Sequence, residues 1–358
     1  GIGLLLDQEK AYDRVNPHYL SKVLSFFQFP VSFINVIMSL FFENNVQINI
    51  NGHFTDNVLQ HRGLRQGDPL SPLLFNIAIE PFLLSLIQDP QLVGYRIPSP
   101  IHSATTVSDN VKCLAYVDDV FVFLSNHNDY LRIKTHMSAY AAVSNAKFNI
   151  NKTEAFSLNG SMDPVWQDLL LQDSIQTYYH RNLSSPFRYL GFQMCYTTAQ
   201  KQQLSSRLLD LIRTQCAIYS QRRLSIRGRA TIMNSLILSK VWYVLRLHHP
   251  PKHFFQSVRS IMWQFVWGGK FPRASFKLLS SPLLGGGVGL LDPQKQHMVL
   301  HLRWLSLMFG AIAAPPSTPA QLMIVSHLRL IHPHPSSVLF PLISSQFRKS
   351  PFCAPLSL

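Results

Sequence analysis

The sequence predicts an α+β fold, in which a sheet with helices crossing its back is followed by a helical region. The stretch Cys113–Leu124 is rich in β-branched and aromatic residues, which favour strands. Asp118 and Asp119 interrupt it, and aspartate is a turn former, so this stretch is expected to be a hairpin. Beyond Thr197 the chain shows helical patterns and positive charge instead. These observations predict a sheet in the first part and helices in the second.

The charge of the chain is unevenly distributed. Its 358 residues carry a formal net charge of +14, which favours a polyanionic partner. Residues 1–160 contain 11 basic and 13 acidic residues, whereas residues 161–358 contain 21 and 5. An acidic half can hold metal ions while a basic half contacts phosphates. A basic surface that is merely solvated is the alternative.

Cysteine spacing and apolar runs argue against several classes of protein. The four cysteines are far apart and form no Cys-x-x-Cys pair, which argues against a zinc module and a disulfide framework. No signal peptide opens the chain, and runs such as Val36–Phe42 are too short to span a bilayer. We therefore expect no membrane association. Because the first residue is Gly1 and a strand follows it at once, we expect a fragment of a longer protein.

The first elements present a carboxylate at the end of a strand. The apolar run Ile2–Leu6 reads as a strand, and Asp7 follows it. Asn16 and Pro17 then form a good helix start, and the helix is expected to run to about residue 27. Asp7 is either a strand-end cap or a functional carboxylate at the C-terminal end of a central strand.

Asp118 and Asp119 read first as a metal site. Two adjacent carboxylates repel each other unless a cation or solvent lies between them, and a plain hairpin tip more often uses Asn-Gly or Asp-Gly. A solvated pair is the alternative. If the fold brings Asp7 to this pair, the oxygen-only site would suit Mg²⁺. Two-metal sites of this kind serve phosphoryl and nucleotidyl transfer.

A loop with a constrained backbone lies between these acids, at residues 61–72. Gly63 and Gly67 would allow the backbone to approach a ligand closely, and Arg62 and Arg65 could pair with phosphate. An ordinary loop opening the apolar helix at 73–86 is the alternative. 

Two further features stand downstream. Gly191 is expected at the bend of a hairpin spanning residues 187–193. Helices are expected at about 199–220, from the basic turn Arg222–Arg229 to about 247, and at 253–266. The basic turn could follow a nucleic-acid backbone, with a solvated face as the alternative.

In this order the motifs resemble those of reverse transcriptases, specifically of non-LTR retrotransposons. The run from Leu6 to Asp13 resembles the first palm motif, and the run from Gly63 to Phe75 the second. Tyr116-Val-Asp-Asp119 resembles the third. Asn151–Glu154 and Tyr189–Gly191 resemble the fourth and fifth.

The resemblance implies a right-hand polymerase fold. Residues 1–195 would form the palm, an antiparallel sheet with helices on one face, with the fingers mostly missing. Residues 196–270 would form a helical thumb. Residues 271–358 would be a helical or loop extension with a partly disordered tail. No endonuclease domain is identified.

The resemblance also implies residue roles. The metal ligands would be Asp7, Asp118 and Asp119, with two Mg²⁺ ions, or Mn²⁺. Lys152 would be a catalytic proton donor, and Tyr12 would select deoxynucleotides by excluding a ribose 2′-hydroxyl. The remaining implied sites are the nucleotide or template contacts Arg65, Gln66 and Gly67, the primer grip Tyr189, Leu190 and Gly191, and the backbone contacts Arg222, Arg223, Arg227 and Arg229.

The implied function is RNA-directed DNA polymerisation, with an RNA template, a DNA primer or target and dNTPs as partners. An inactive nucleic-acid-binding remnant and an intron-encoded maturase-type reverse transcriptase are the alternatives. The implied location is nucleus and cytoplasm, since such elements assemble on RNA and are copied at DNA.

Overall fold

The computed structural model describes residues 1–97, 110–268, 271, 274–313 and 318–331. The chain divides into two compact units, with the change from the first to the second between Asn182 and Leu183. This boundary lies ahead of the predicted one at 195/196. The predicted disordered tail lies outside the described residues beyond Ile331.

The described strands are short and most lie in the first unit. They are β1 (Ile2–Leu6), β2 (Asn44–Val46), β3 (Asn49–Ile50), β4 (His53–Phe54), β5 (Val58–Gln60), β6 (Tyr95–Arg96), β7 (Asn110–Val111), β8 (Cys113–Tyr116), β9 (Asp119–Leu124), β10 (Glu154–Ser157), β11 (Thr177–Tyr179), β12 (Phe187–Tyr189) and β13 (Phe192–Met194).

The described helices occur in both units and predominate in the second. They are α1 (Pro17–Phe26), α2 (Val31–Phe41), α3 (Ser71–Gln88), α4 (His127–Ser144), α5 (Pro164–Gln172), α6 (Thr198–Ser220), α7 (Ile226–Ile232), α8 (Ser239–Leu245), α9 (Lys252–Trp267), α10 (Phe276–Leu279), α11 (Pro293–Ala313) and α12 (Pro319–Ile331).

A five-stranded sheet in the order β11-β10-β1-β9-β8 forms the centre of the first unit. Strand β1 pairs antiparallel with both β9 and β10, and β8 pairs antiparallel with β9. Strand β11 is the exception, because it runs parallel to β10. The predicted α+β class with a mainly antiparallel sheet is confirmed.

The helices cover one face of this sheet. Alternate residues of a strand point to opposite faces, and Ile2, Leu4 and Leu6 are buried in the same core as Val120 and Val122. Helices α1 to α5 contribute residues to that core, among them Leu20, Ile34, Phe75, Phe82, Tyr140, Trp166 and Leu170. The other face carries Gly3, Leu5 and aromatic rings, of which Phe121 contacts Phe156 at 5.0 Å between centroids.

Helix starts and turns follow the local rules read from the sequence. The Asn16 side chain accepts a hydrogen bond from the Tyr19 backbone N–H at 3.1 Å, so it caps α1 as predicted. At the bend between β12 and β13, Leu190 and Gly191 have φ of 47° and 83°. Two consecutive positive φ angles are typical of a type I′ hairpin turn.

Helix α3 is, by length and composition alone, apolar enough to cross a membrane, which the survey of apolar runs did not anticipate. Seven of its residues are buried: Ser71, Leu74, Phe75, Ala78, Ile79, Phe82 and Leu86. Six of these belong to the sheet-and-helix core, so packing in the first unit accounts for its apolar character.

The second unit has a separate helical core. Helices α6, α8 and α9 bury Ile212, Val241 and Met262, together with residues from α7 and α10. The predicted second helix is interrupted, because a π-helical segment at Met233–Ile237 separates α7 from α8. The β12–β13 hairpin also belongs to this unit, where the Tyr243 hydroxyl of α8 donates to the Leu190 carbonyl at 2.5 Å.

Candidate active site

Strand pairing brings Asp7 and Asp119 together. Leu6 at the end of β1 pairs with Val120, so continuing the register places Asp7 opposite Asp119 at the start of β9. Asp7 follows Leu5 by two residues, and Asp119 precedes Phe121 by two. Because side chains alternate, both aspartates lie on the face that the helices do not cover.

Asp118 lies in the tight turn that joins β8 to β9. Tyr116 pairs with Asp119, which leaves Val117 and Asp118 as the two turn residues. Val117 has φ of 58°, and a positive φ at the first turn position alone is the pattern of a type II′ turn, where glycine is preferred. A β-branched residue in this region is strained, and such strain clusters at functional sites.

Asp119 lies close enough to Asp118 and Asp7 for their charges to act on it. Burial raises the pKa of Asp119, and the neighbouring charges of Asp118 and Asp7 raise it further. Among the described residues, a set of three possible metal ligands whose donor atoms all lie within 4.8 Å of one another is found for three histidines of the second unit. The three aspartates do not form such a set. Negative charge is therefore concentrated here, although the carboxylates are spread more widely than the histidines.

A cleft of about 410 Å³ opens beside Asp7 and Asp119. Lys152 and Glu154 line it too, together with Leu5, Asn151 and Thr177. Lys152 is exposed and is the last residue of a single 3-10 turn, Ile150–Lys152. The structure thus places the predicted Lys152 in the same cleft as two of the predicted metal ligands.

Glu154 is a third acid at the cleft, beside Asp7 and Asp119, and the sequence reasoning did not assign it to the site. It pairs with Leu5 in the β1–β10 register and accepts a hydrogen bond from the Tyr179 hydroxyl at 3.2 Å. Burial raises its pKa, and the Tyr179 hydrogen bond acts in the opposite direction. The sequence showed Glu154 directly before a short strand-like run, but it did not show the neighbouring strands that make this residue part of the cleft.

Tyr12 lies near Asp118 and is held by stacking. Its ring stacks on Phe75 of α3 with centroids 4.8 Å apart and an interplanar angle of 13°. Burial raises the pKa of its phenol, and the charge of Asp118 raises it further. The ring is therefore held beside one of the carboxylates, and its predicted sugar-side role stays a prediction.

The 61–72 loop packs against the segment that carries Tyr12. Backbone N–H groups of Gly63 and Leu64 donate to the carbonyls of Val15 and Tyr12, both at 2.9 Å. A Cβ on Gly63 would lie 2.8 Å from the Asp13 carbonyl oxygen, so only glycine allows this approach. The second motif is thus anchored to the first.

Within this loop, Arg65 makes hydrogen bonds inside the protein, whereas Gln66 and Gly67 face solvent. The Arg65 guanidinium donates to the Gln60 side chain at 2.9 Å and to the Leu40 carbonyl at 3.0 Å, so it ties the loop to the end of α2. Gln66 and Gly67 are exposed, and nothing lies within 4 Å of where a Gly67 Cβ would stand. The nucleotide or template role of all three stays a prediction, with Arg65 already committed to internal contacts.

Gln60, which the sequence reasoning missed, supports this loop from both sides. Its Nε2 donates to the Gly63 carbonyl at 2.8 Å, while its Oε1 accepts from Arg65. 

The predicted primer grip and basic turn belong to the second unit. Tyr189, Leu190 and Gly191 form the end of β12 and the hairpin turn. In the basic turn, Arg222, Arg223 and Arg227 are exposed, which suits contact with phosphates.

Arg229 is used differently from the other three arginines. It donates to the Phe265 carbonyl at 2.8 Å and to the Leu224 carbonyl at 3.3 Å, and it lies over the Phe265 ring. Since α9 ends at Trp267, this cation sits at a helix C-terminus, where the helix dipole favours it. Arg229 therefore stabilises the helical unit, and its predicted phosphate contact stays untested.

A family profile described as reverse transcriptase (RNA-dependent DNA polymerase) matches residues 2–194. The chain belongs to this reverse transcriptase family. The matched range contains all five motifs, including Asp7 and the Asp118–Asp119 turn.

The relatives of this reverse transcriptase chain are proteins of mobile elements. It is 29% identical over 324 residues to the Transposon TX1 uncharacterized 149 kDa protein of Xenopus laevis, covering 87% of this chain and 23% of that protein. It is 27% identical over 192 residues to a retrovirus-related Pol polyprotein from a type-1 retrotransposable element R2 of Popillia japonica, covering 52% and 25%. The chain thus spans about a quarter of the length of these relatives. The predicted resemblance to non-LTR retrotransposon reverse transcriptases is confirmed.

Among solved structures, a telomerase from Candida albicans in complex with a telomeric RNA fragment is similar over 98% of this chain and 49% of that one. The TM-score is 0.41 and the sequence identity is 14%.

Proposed function

We propose that this chain is the palm and thumb of an RNA-directed DNA polymerase that transfers nucleotides from dNTPs to the 3′-hydroxyl of a DNA primer on an RNA template. The observation that carries the proposal is the juxtaposition of Asp7 and Asp119 on the open sheet face, with Asp118 in the strained turn beside them. The mobile-element relatives indicate that the setting is retrotransposition.

The donor atoms fit two divalent ions, with Mg²⁺ as the expected ion and Mn²⁺ as a substitute. Asp7, Asp118 and Asp119 offer only carboxylate oxygens, the ligands that hard cations prefer. The raised pKa of Asp119, caused by burial and the two neighbouring charges, supports an unbalanced negative potential that cations would relieve. When bound, such ions lower the pKa of a hydroxyl nucleophile and neutralise charge on a transferred phosphoryl group.

The chain's own residues would position the reactants. Tyr12, stacked flat on Phe75, would lie against the sugar of the incoming nucleotide and exclude a 2′-hydroxyl. Lys152 would donate a proton to the departing pyrophosphate from the edge of the same cleft. The exposed Arg222, Arg223 and Arg227 would contact the backbone of the template–primer duplex.

Primer extension tests this proposal. The full chain is given poly(rA)–oligo(dT), dTTP and Mg²⁺, beside an Asp118→Asn/Asp119→Asn double variant. Asp56→Asn is the matched control, since Asp56 is an exposed aspartate of the same unit. We expect extension by the wild type and the control, and a loss of at least about 10³-fold in the double variant.

A different result would contradict the proposal. Hybrid binding that persists without extension in either Mg²⁺ or Mn²⁺ would favour a nucleic-acid-binding chain without catalysis. Extension that survives the double substitution would show that the metal-ligand assignment is wrong. 

We also propose that the protein occurs in both cytoplasm and nucleus, because a template RNA and a DNA target would be met there in turn. Tagged protein confined to one compartment would contradict this.

A further inference from the structure

Three histidines converge in the second unit, and the polymerase proposal assigns a role to none of them. His297 and His301 lie four residues apart on α11, and so on one face of that helix. His249 comes from the segment between α8 and α9. One ligand atom from each ring lies within 4.8 Å of the other two, and among the described residues no other group of three acids, cysteines or histidines is as compact.

The ring nitrogens face one another. The Nε2 atoms of His297 and His301 are 2.9 Å apart, and the His249 ring lies 5.3 Å from the His297 ring and 5.7 Å from the His301 ring between centroids. Two nitrogens on a tetrahedral zinc ion at about 2.0–2.1 Å would be roughly 3.3 Å apart. A shift of a few tenths of an ångström would therefore convert the observed facing pair into a chelating pair.

Burial differs among the three rings in a way that suits a site with one open side. His297 is buried at 4% exposure, His301 is half-buried and His249 is exposed. Three protein ligands with a remaining solvent-facing position is a common zinc arrangement. 

The chemistry of the donors selects the class of metal. All three donors are imidazoles, which suit zinc, copper, cobalt and nickel, whereas Mg²⁺ prefers oxygen ligands. Lys201 is close enough for its charge to act on His249. A nearby positive charge opposes a cation, so we expect dissociation constants in the micromolar range and not far below it. The scarcity of cysteine pairs argued against zinc, but that argument concerned thiolate sites.

We propose that His249, His297 and His301 form a binding site for a divalent transition-metal ion of the zinc class. An ion there would join the segment after α8 to α11, two elements that are far apart in sequence. It would stabilise the helical unit whether or not the chain polymerises DNA.

Metal titration of the full chain tests the site. The protein carries no polyhistidine tag, is stripped with EDTA and is titrated with Zn²⁺ by calorimetry, with Co²⁺ absorption as a second readout because tetrahedral Co²⁺ absorbs strongly in the visible range. We expect one ion per chain with a micromolar dissociation constant, and a melting temperature that rises by several degrees at zinc concentrations near 100 times that constant.

Substitutions at the cluster assign the ligands. His249→Gln changes an exposed residue and so is expected to leave the fold intact while weakening zinc binding at least tenfold. His249→Cys supplies a different zinc ligand at the same place and should retain binding. His253→Gln is the matched control, since His253 is exposed at the start of α9 in the same unit.

Several results would overturn the proposal. Zinc affinity equal in wild type and His249→Gln would show that any bound ion lies elsewhere. Binding that falls equally in His253→Gln would indicate nonspecific surface histidines. No binding by the stripped wild type would show that the three rings are joined by hydrogen bonds alone.

Discussion

The two faces of the five-stranded sheet are built by the same strands, yet one face is packed with apolar side chains and the other presents carboxylates. On the covered face, Leu4, Leu6 and Val122 are at most 1% exposed and pack beneath the helices. On the open face, at the ends of the same strands, Asp7 and Asp119 lie opposite each other. Alternation along a strand thus lets one short segment supply both apolar burial and a concentrated negative charge.

Two aspartates of the first unit show the same contrast in their ionisation. Burial would raise the pKa of Asp89, but hydrogen bonds from Arg132 and His136 of α4 outweigh it and hold the pKa well below its usual range. Burial also raises the pKa of Asp119, and there the neighbours are Asp118 and Asp7, which raise it further. The Asp89 carboxylate is thus paired with cations of the protein, whereas the charges acting on Asp119 are those of other carboxylates.

The largest loss of activity is expected from a substitution on the open face of the sheet. Asp119→Asn should lower primer extension at least about 10³-fold, because it removes a proposed metal ligand. At pH 7 the ionised Asp119 opposes folding, since its folded pKa lies above its unfolded one. The variant should therefore melt at the same temperature as the wild type or higher, and any gain should vanish below about pH 4.

Melting curves at pH 7 and pH 3.5, without added metal, provide the measurement. A variant that loses both activity and stability at pH 7 would contradict this account, because the Asp119 carboxylate would then stabilise the folded state.

The matched change on the covered face is Leu4→Ala. Leu4 is 1% exposed in the middle of β1, so we expect a loss of about 2–5 kcal/mol in the free energy of unfolding. Chemical denaturation measures it. Extension per folded molecule should stay near the wild-type value. A large fall in that value at a temperature where the variant is folded would show that the two faces are not separable.

Much of the local structure could be predicted from sequence, because it depends on neighbouring residues. The Asn16 cap, the hairpin at Asp118 and the bend at Gly191 all follow from residue types at adjacent positions, although the turn itself is formed by Val117 and Asp118 and Asp119 already belongs to β9. Family resemblance supplied the order of the motifs. These signals were sufficient to identify the sheet, its two main acidic positions and the helices that follow.

What could not be predicted depends on contacts between distant residues. Strand β11 is three residues long, and its parallel pairing with β10 leaves no periodic signal. Arg229 resembles its exposed neighbours in sequence, yet it contacts the end of α9. Glu154 lines the cleft, and the three histidines lie together, only because the fold brings distant elements side by side.

Asp89→Asn sharpens the contrast between the paired and unpaired carboxylates. We expect the free energy of unfolding at pH 7 to fall by about 1–3 kcal/mol, because charge-assisted hydrogen bonds from Arg132 and His136 are weakened. The folded pKa of Asp89 is lowered, so its stabilisation is fully present above the unfolded pKa near 4. It is lost as pH falls through the folded pKa.

The difference in unfolding free energy between wild type and Asp89→Asn should therefore narrow below about pH 4. Urea denaturation at pH 7, 4 and 3 measures this. A difference that stays constant with pH would show that packing and not charge accounts for the cost.

The smallest effect is expected from alanine substitutions at two glycines with similar backbone angles, which distinguish the cost of backbone strain from an effect on nucleotide binding. Gly67 and Gly52 have φ of 94° and 91°, and a Cβ on either would have no atom within 4 Å. Alanine at each position should therefore lower the free energy of unfolding by a similar amount, about 1 kcal/mol, because of backbone strain alone. Only Gly67 lies in the second palm motif, so Gly67→Ala should also raise the KM for dTTP several-fold, whereas Gly52→Ala should leave it unchanged. Equal KM values in the two variants would mean that the 61–72 loop does not approach the nucleotide, and would confine the site to the open sheet face and Tyr12.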